Sequence, residues 1–240
     1  MTEWFERWFG EEYLKLYPHR DDREAEQAIA LVERTLTLRG LRALDLACGS
    51  GRHAARLQSR NVNVVGFDLS MPLLSRAKHG DPPVHRLVRG DMRVLPFRNA
   101  SFDLVTNLFT SFGYFAHDEH HADVIRRIGE LVVPGGHFVF DYLSAPHVRM
   151  TLVPREERRM ESQTVVIERQ ITEDGRFVQK AMHLVDDGRS FMERVRLFEP
   201  DELERLVTDA GFAIHARYGD YHGNPLSAQA PRVILVGQRS

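Results

Sequence analysis

The chain has 240 residues, 42% of them hydrophobic, which is enough for one α/β domain with an insertion and excludes disorder of the whole chain. The 32 basic and 34 acidic side chains give a formal net charge of −2, so there is no bulk basic field and we expect no nucleic-acid partner. A single cysteine permits no internal disulfide, and we see no membrane-spanning run and no signal-peptide core, so the sequence predicts a cytoplasmic protein without membrane contact.

Residues 1–20 carry aromatic side chains at helical spacing, which predicts an amphipathic helix. This helix either closes over the domain or forms a lid over a bound ligand, and both descriptions can hold together. As a lid, it would direct Tyr13, Tyr17 and Arg20 toward a carboxylate of that ligand. A second helix is predicted over residues 24–38.

The segment LDLACGSGRHA at residues 44–54 predicts an apolar strand, a glycine turn and the start of a helix over residues 52–59. A helix that begins at such a turn directs its amide dipoles toward a ligand, and glycine allows the backbone to approach it. Asp68 ends the next predicted strand, 19 residues after Gly49, which is the separation expected for an acid that binds ribose hydroxyls.

Asp45 decides between two nucleoside ligands. Gly49, Gly51 and Ala54 satisfy the dinucleotide pattern G-x-G-x-x-G/A, but a carboxylate four residues before the first glycine would repel a pyrophosphate. The same carboxylate suits a ligand that carries an ammonium and a sulfonium group and no phosphate. The sequence therefore predicts S-adenosylmethionine (SAM) as the ligand.

Two further segments agree with this prediction. Residues 84–89 are predicted to form a strand that leads into Gly90-Asp91-Met92, where the acid can accept a hydrogen bond from adenine and Met92 can pack on the ring. A fourth strand over residues 102–107 then opens into the loop that begins at Leu108.

The ordered motifs DLACGSG, GFDLS and GDM resemble those of class I SAM-dependent methyltransferases, and the resemblance covers most of the chain. It implies that Gly49 and Gly51 approach the methionine part of SAM, that Asp68 holds the ribose, and that Asn107 and Leu108 border the transferable methyl group. The full set of predicted cofactor residues is Asp45, Ala47, Gly49, Ser50, Gly51, Asp68, Leu69, Asp91, Met92, Asn107, Leu108, Tyr13, Tyr17 and Arg20.

The resemblance also implies one methyltransferase domain over residues 1–240, built on a seven-stranded Rossmann-like sheet that is mostly parallel with an antiparallel last strand. A proline–glycine break at residues 134–136 is expected to end a helix before the strand at residues 138–142. A final helix should begin near Glu199 or Asp201 and end at Gly211. Strands at residues 212–218 and 232–237 would close the sheet, and the segment between them is expected on the ligand side.

Residues 151–199 differ in character from the rest of the chain. Three β-rich runs at residues 164–171, 177–185 and 191–198 are separated by Asp-Gly turns, which predicts an inserted antiparallel meander of three strands. The meander would be a substrate-binding cap, a cover for the sheet edge or the surface of a homodimer. The mixed charges at residues 155–159 predict a solvated surface.

The resemblance places the acceptor pocket in the loops after the fourth, fifth and sixth strands. The predicted substrate residues are Phe112, Tyr114, Tyr142, Asp220 and Tyr221. His222 is the first candidate for a catalytic base, and Tyr114 is the second. The histidine-rich run at residues 117–121 is interpreted as a helix start capped by Asp118, so no metal site is predicted.

These features predict a methyltransferase that acts on nitrogen or oxygen of a small molecule. An RNA methyltransferase and a non-catalytic SAM-binding subunit remain as alternatives. DNA amine methylation is disfavoured because Asn107-Leu108-Phe109-Thr110 stands where those enzymes carry N-P-P-Y or D-P-P-Y, the motif that stacks on a flipped base.

Overall fold

The structure is a computed structural model that describes residues 3–16, 22–160, 163–186 and 188–240. The helices are α1 (Trp4–Trp8), α2 (Glu11–Leu16), α3 (Asp22–Thr35), α4 (Arg52–Ser59), α5 (Met71–Lys78), α6 (Asp118–Leu131), α7 (Ala145–Thr151) and α8 (Pro200–Asp209). The strands are β1 (Arg42–Leu46), β2 (Asn63–Asp68), β3 (Leu87–Arg89), β4 (Phe102–Asn107), β5 (Val132–Leu143), β6 (Arg155–Met160), β7 (Gln163–Ile171), β8 (Phe177–Leu184), β9 (Ser190–Arg196), β10 (Phe212–Tyr218) and β11 (Arg232–Arg239).

Seven strands form one sheet in the order β10-β11-β5-β4-β1-β2-β3. The strands from β5 to β3 pair in parallel, whereas β11 is antiparallel to both of its neighbours, as predicted for the last strand. The order reverses between β1 and β4, and in open α/β sheets ligands bind beyond the carboxyl ends of the strands at such a switch point. The topology therefore favours a ligand site formed by the loops that follow β1, β2 and β4.

Both faces of this sheet are covered, because successive side chains on a strand point to opposite faces. Leu44 and Leu46 of β1 join the core beneath α6 and α8, whereas Ala43 joins the core beneath α3 and α4. Asp45 lies on the same side as Ala43 by this alternation. The carboxyl group of Asp45 is therefore buried near the end of β1.

The N-terminal segment forms two short helices, where the sequence predicted one. α1 ends at Trp8, and α2 begins after Gly10, a residue that destabilises a helix interior. Trp8, Tyr13 and Leu16 pack in a third core together with Leu73 of α5 and apolar residues of β7 and β8. The segment thus connects the main sheet to the insertion. Tyr17 and Arg20 lie outside the described residues.

The insertion is an antiparallel sheet of four strands, β6-β7-β8-β9, so the prediction of three strands is wrong in its count. The additional strand, β6, comprises the charged run at residues 155–159, which pairs along β7. It lacks the alternation of apolar and polar residues by which strands are recognised, because its side chains are mostly solvent-exposed. The turn before β8 has Gly175 at φ +70°, as the Asp-Gly signal predicted.

Other element boundaries differ modestly from the predictions. β3 covers only residues 87–89 of the run predicted from residue 84, and the proline–glycine pair at residues 134–135 lies inside β5. The start of α8 agrees with its prediction, since Glu199 and Glu202 form a reciprocal capping box. None of the helices in the described ranges is long and apolar enough to cross a membrane.

Candidate active site

A cavity of about 630 Å³ opens at the carboxyl ends of β1, β2 and β4, where the sheet order reverses. The turns after these strands form one side, and α1, α2 and β9 form the other. The predicted residues that line it are Tyr13, Asp45, Ala47, Gly49, Ser50, Asp68, Leu69, Asp91, Met92, Leu108 and Tyr114. The structure thus brings most of the predicted cofactor residues to one place.

The turn after β1 adopts backbone angles that side chains disfavour. Ala47 has φ +57° and Gly49 has φ +54°, and both residues line the cavity. Gly51 has φ +80° but is not among the lining residues, and a Cβ there would lie 2.8 Å from Cβ of Ala77 on α5. Gly51 therefore allows α5 to pack closely, which differs from the predicted approach to the ligand.

The Asp45 carboxyl is buried in the cavity wall, with 1% of the residue exposed. The hydroxyl of Thr106 donates to Oδ1 at 2.9 Å, whereas Oδ2 has no hydrogen-bond partner among the described residues. Burial raises the pKa of this carboxyl to about 7. An unsatisfied buried acceptor is costly, so this wall suits a ligand with a donating or cationic group.

Asp68 holds the turns of two strands together. Its Oδ2 accepts from the backbone N–H of Gly49, and its Oδ1 accepts from that of Ser70, both at 2.8 Å. Burial raises the pKa of the carboxyl above its usual range. Each carboxylate oxygen has a second lone pair, so Asp68 can still accept ligand hydroxyls from the cavity side.

Asp91 lies at the far end of the cavity and is paired with Arg93. The guanidinium contacts both carboxylate oxygens, and the backbone N–H of Arg93 donates to Oδ1 at 2.9 Å. Met92, next in the chain, is a partly buried apolar residue that lines the same end of the cavity. This end combines a fixed carboxylate with an apolar surface.

The loop after β4 is strained and is held by one buried carboxylate. Phe109 and Thr110 line the cavity with φ of +63° and +59°, a conformation that costs non-glycine residues roughly 1–3 kcal/mol each. Asp141 accepts from the Phe109 N–H at 2.7 Å, from the Tyr221 hydroxyl at 2.5 Å and from two guanidinium nitrogens of Arg232. The Arg232 guanidinium also lies over the Phe109 ring, 5.2 Å from its centroid.

The wall opposite the glycine turn is largely aromatic. The rings of Trp4 and Tyr114 have centroids 5.2 Å apart, and those of Phe9 and Tyr114 are 5.5 Å apart. The Tyr114 hydroxyl donates to the Thr110 carbonyl at 2.8 Å. Leu143 of β5 and Glu193 and Val195 of β9 complete this wall, which we call the acceptor half of the cavity.

The other predicted acceptor residues do not line the cavity, and the predictions for their positions need correction. Phe112 and Tyr142 are fully buried in the core, and the Tyr142 hydroxyl donates to the Arg196 carbonyl at 2.6 Å. Tyr221 is buried with its hydroxyl on Asp141. Asp220 accepts from the backbone N–H groups of His222 and Asn224, so it stabilises a turn.

His222 is exposed and is absent from the cavity lining, so the geometry gives no support to its predicted role as a base. Asn107 also lies beneath the cavity rather than in its wall. The Asn107 side chain is buried and donates to the Leu46 carbonyl at 3.1 Å, which ties the end of β4 to β1. Its effect on a ligand would therefore act through the loop that follows it.

Several lining residues escaped the sequence predictions, among them Arg52, His53, Glu193 and Arg232. His53 is 6% exposed and lies two residues after Gly51 of the glycine turn. Its position in the sequence could therefore have predicted that it lines the cavity. Burial lowers its pKa to about 3, which keeps the ring neutral, and its Nε2 has no partner in the described part of the chain. The alternation of Phe191, Glu193 and Val195 also indicated one shared face of β9.

Comparison with known proteins indicates that the cavity belongs to a methyltransferase. Residues 43–136, which span the glycine turn and the carboxylates at positions 45, 68 and 91, match the family described as a methyltransferase domain. The chain thus carries a methyltransferase domain, and its fold is that of class I SAM-dependent methyltransferases. The residues present fit SAM, because a buried acceptor without a partner, a glycine turn and a second carboxylate meet in one cavity.

Individual relatives agree with this family. A dTDP-3-amino-3,4,6-trideoxy-alpha-D-glucopyranose N,N-dimethyltransferase of Streptomyces venezuelae is 27% identical over 85% of this chain and 88% of that protein. The structure of the CcbJ methyltransferase from Streptomyces caelestis aligns with a TM-score of 0.81 and 21% identity, covering 98% of this chain and 99% of the other. SAM-bound CalS10, an amino pentose methyltransferase from Micromonospora echinaspora, aligns at 0.69 and 23% identity, covering 96% and 97%. At these identities the two structural likenesses establish the fold alone.

Proposed function

We propose that this methyltransferase acts on the nitrogen of a small amine. The observation that carries the proposal is the acceptor half of the cavity. Its wall is largely aromatic and is bounded by α1, α2 and β9. A cavity of about 630 Å³ lies within the range for small-molecule sites, which is roughly 300–1,000 Å³. A cavity of this size suits a small acceptor better than a polymer.

The choice of nitrogen over oxygen follows from the groups that face the acceptor. A hydroxyl needs a base to become a good nucleophile, whereas a neutral amine is already nucleophilic. His53 is a weak base, because burial lowers its pKa to about 3, and the Tyr114 hydroxyl donates to a carbonyl. When bound, SAM supplies a methyl group on a sulfonium; the nitrogen gains that methyl while the sulfur keeps the electron pair of the broken bond.

We infer that the sequence motifs hold the cofactor as the resemblance implied. Asp45 would accept from the ammonium group, Asp68 would accept from the ribose hydroxyls, and Asp91 with Met92 would flank the adenine. Support comes from the shared cavity and from the partnerless Oδ2 of Asp45. The protein's own contribution to the reaction is then to align the nitrogen with the methyl group and to exclude water.

We further propose that the N-terminal helices act as a lid and the inserted sheet as a cap. Trp4 and Tyr13 from the N-terminal helices line the cavity together with Glu193 and Val195 from the insertion. Nothing in the fold or in the relatives favours the RNA methyltransferase or the non-catalytic alternative. Two of the relatives are named for methylation of amino sugars, which is consistent with an amine acceptor.

The test is a SAM titration by calorimetry followed by incubation with a panel of amines and their matching alcohols. We expect one-to-one SAM binding and methylated products, detected by mass spectrometry, from amines only. Products from alcohols alone would overturn the choice of nitrogen. Tight SAM binding without any methylated product would instead favour a non-catalytic subunit, and retention of RNA at low salt would favour an RNA substrate.

A further inference from the structure

A second groove, of about 390 Å³, lies between α7 and the inserted sheet. Its volume is within the range of small-molecule sites, which is roughly 300–1,000 Å³. The groove adjoins the main cavity, because Leu143, Glu193 and Val195 line both. The function proposed above makes no use of this second space.

One side of the groove is apolar. Val148 of α7, Leu152 and Val178 of β8 line it and are half-buried, so each keeps part of its apolar surface open to solvent. Val153, at the same side, is 51% exposed. A concave apolar surface that stays accessible to water gains free energy when an apolar group covers it.

A row of charged side chains crosses the inserted sheet along the groove. Arg169, Lys180 and Glu193 occupy paired positions on β7, β8 and β9, so they lie on the same face of the sheet. Glu156 of β6 accepts from Arg169 at 2.5 Å and from Arg158 at 2.8 Å. Lys180 contacts Glu193 at 2.9 Å. The described lining thus holds three cations and two carboxylates, which leaves one positive charge in excess.

Arg169 and Lys180 are the two cations that an anion would bridge. They are directly opposite each other on neighbouring strands, and like charges in that position destabilise a sheet. Their side chains are only 22% and 18% exposed, so solvent screens their repulsion less than at an open surface. Glu156 is shared between Arg169 and Arg158, so it compensates only one of these two guanidinium charges. A further carboxylate at this point would relieve the repulsion.

We propose that the groove is a binding site for a free monocarboxylic acid with an apolar body, the chemistry of a medium-chain fatty acid. The carboxylate lies between Arg169 and Lys180, and the apolar body covers the side formed by α7 and Val178. Neither the charged row nor the apolar side alone selects this ligand, because binding uses both. The site is separate from the cofactor cavity and does not depend on the proposed acceptor.

The probe pair is octanoate and octanamide, which share a chain and differ in charge at pH 7.5. Calorimetry with the full-length protein measures both affinities. The wild type should bind one octanoate, at least about fivefold more tightly than octanamide. Acetate, which lacks the apolar body, should give no detectable binding. Arg169→Gln removes one of the two bridged cations and should reduce the preference for octanoate to within about twofold.

Arg155→Gln is the matched control, because Arg155 is an exposed arginine of the same sheet that lines neither cavity. This variant should keep the wild-type preference. A wild type that binds neither probe, or that binds both equally, overturns the proposal. An Arg169→Gln variant that keeps the preference also overturns it, because octanoate would then bind elsewhere.

Val153→Asp is a second variant that decides the question if Arg169→Gln fails to fold, as judged by its melting temperature. The exposed position of Val153 at the groove lets a negative charge be added without burying it. The variant should weaken octanoate binding at least about threefold and change octanamide binding by less than about twofold. An unchanged affinity for octanoate in a folded Val153→Asp protein contradicts the assignment of the groove.

Discussion

Asp45 is a carboxylate in an apolar surrounding, and its ionisation should control SAM binding. Its folded-state pKa of about 7 lies above the ordinary value, so the empty protein holds a proton there at mildly acidic pH. The ammonium of SAM favours the ionised form. Binding below pH 7 must therefore release a proton, and the affinity should rise as the pH increases.

We expect the SAM dissociation constant of the wild type to fall roughly eightfold between pH 6 and pH 7.5. Asp45→Asn should bind more weakly at both pH values and lose most of this dependence. Calorimetry in two buffers of different ionisation enthalpy measures the released proton directly. A wild-type affinity that is flat over this range would contradict the assignment of the ammonium group to Asp45.

Without SAM, the same group lowers stability as the pH rises. An acid whose folded-state pKa is raised binds its proton more tightly in the folded protein than in the unfolded chain. Its contribution is therefore most favourable below about pH 4 and is lost as the pH increases through 7. Denaturation of Asp45→Asn with urea should show a weaker decline over pH 4–7 than the wild type.

At the scale of elements, the loop after β4 depends on the buried group formed by Asp141, Tyr221 and Arg232. Arg232→Ala would leave the fully buried Asp141 without its cation and should lower the free energy of unfolding by about 3–5 kcal/mol. Tyr221→Phe removes one hydroxyl donor and should cost about 1 kcal/mol. Urea denaturation measures both changes.

The control for these two variants is Arg155→Ala, which removes an exposed ion pair with Glu168 and should change stability by less than about 0.5 kcal/mol. An Arg232→Ala protein as stable as this control would show that the Asp141 carboxylate does not depend on the guanidinium of Arg232. The strained angles of Phe109 and Thr110 would then need another source of support.

The proposed lid depends on a hydrogen bond between elements that are far apart in the sequence. Trp8→Phe removes the donor to Glu193 and keeps a ring to pack against Phe191 and Tyr13. Loss of about 1 kcal/mol should speed SAM dissociation roughly threefold to tenfold in stopped-flow measurements. Val94→Ala, at a highly exposed site, is the control, and equal rates in the two variants would argue against a lid.

The cofactor side of the site could be predicted because its signals are local. A strand, a glycine turn and a helix follow one another within residues 44–59, and Asp68 ends the adjacent strand. The acceptor side depends on contacts without local signals. Trp8 and Glu193 are 185 positions apart, and Asp141 and Arg232 are 91 apart.

The same reason explains the wrong positions predicted for Tyr221 and His222. The sequence placed the segment after β10 on the ligand side, but it could not show that Tyr221 turns inward to a carboxylate of β5. The strand β6 was missed because its charged residues do not alternate. Pairing partners at this distance in the chain are visible only in the folded protein.

At the scale of the whole molecule, ligand binding should stabilise the fold. SAM at 100 times its dissociation constant adds about 2.7 kcal/mol, and a chain of this size should then melt about 5–10 °C higher. At pH 8, where Asp45 is ionised, NAD should give no shift, because Asp45 would repel its pyrophosphate. A thermal-shift assay compares the two ligands, and an equal shift with NAD would restore the dinucleotide alternative. The homodimer stays a prediction.

The charged strand β6 limits how copies of this protein can associate. β6 is one edge strand of the inserted sheet, and its side chains Arg155, Arg158 and Arg159 are exposed. The other edge strand, β9, is covered by α1. An uncovered edge strand would otherwise offer free backbone groups to a neighbouring chain, and exposed charged side chains along that edge oppose such pairing. The insertion is thereby protected from edge-to-edge aggregation, and any association through it would have to use a face of the sheet.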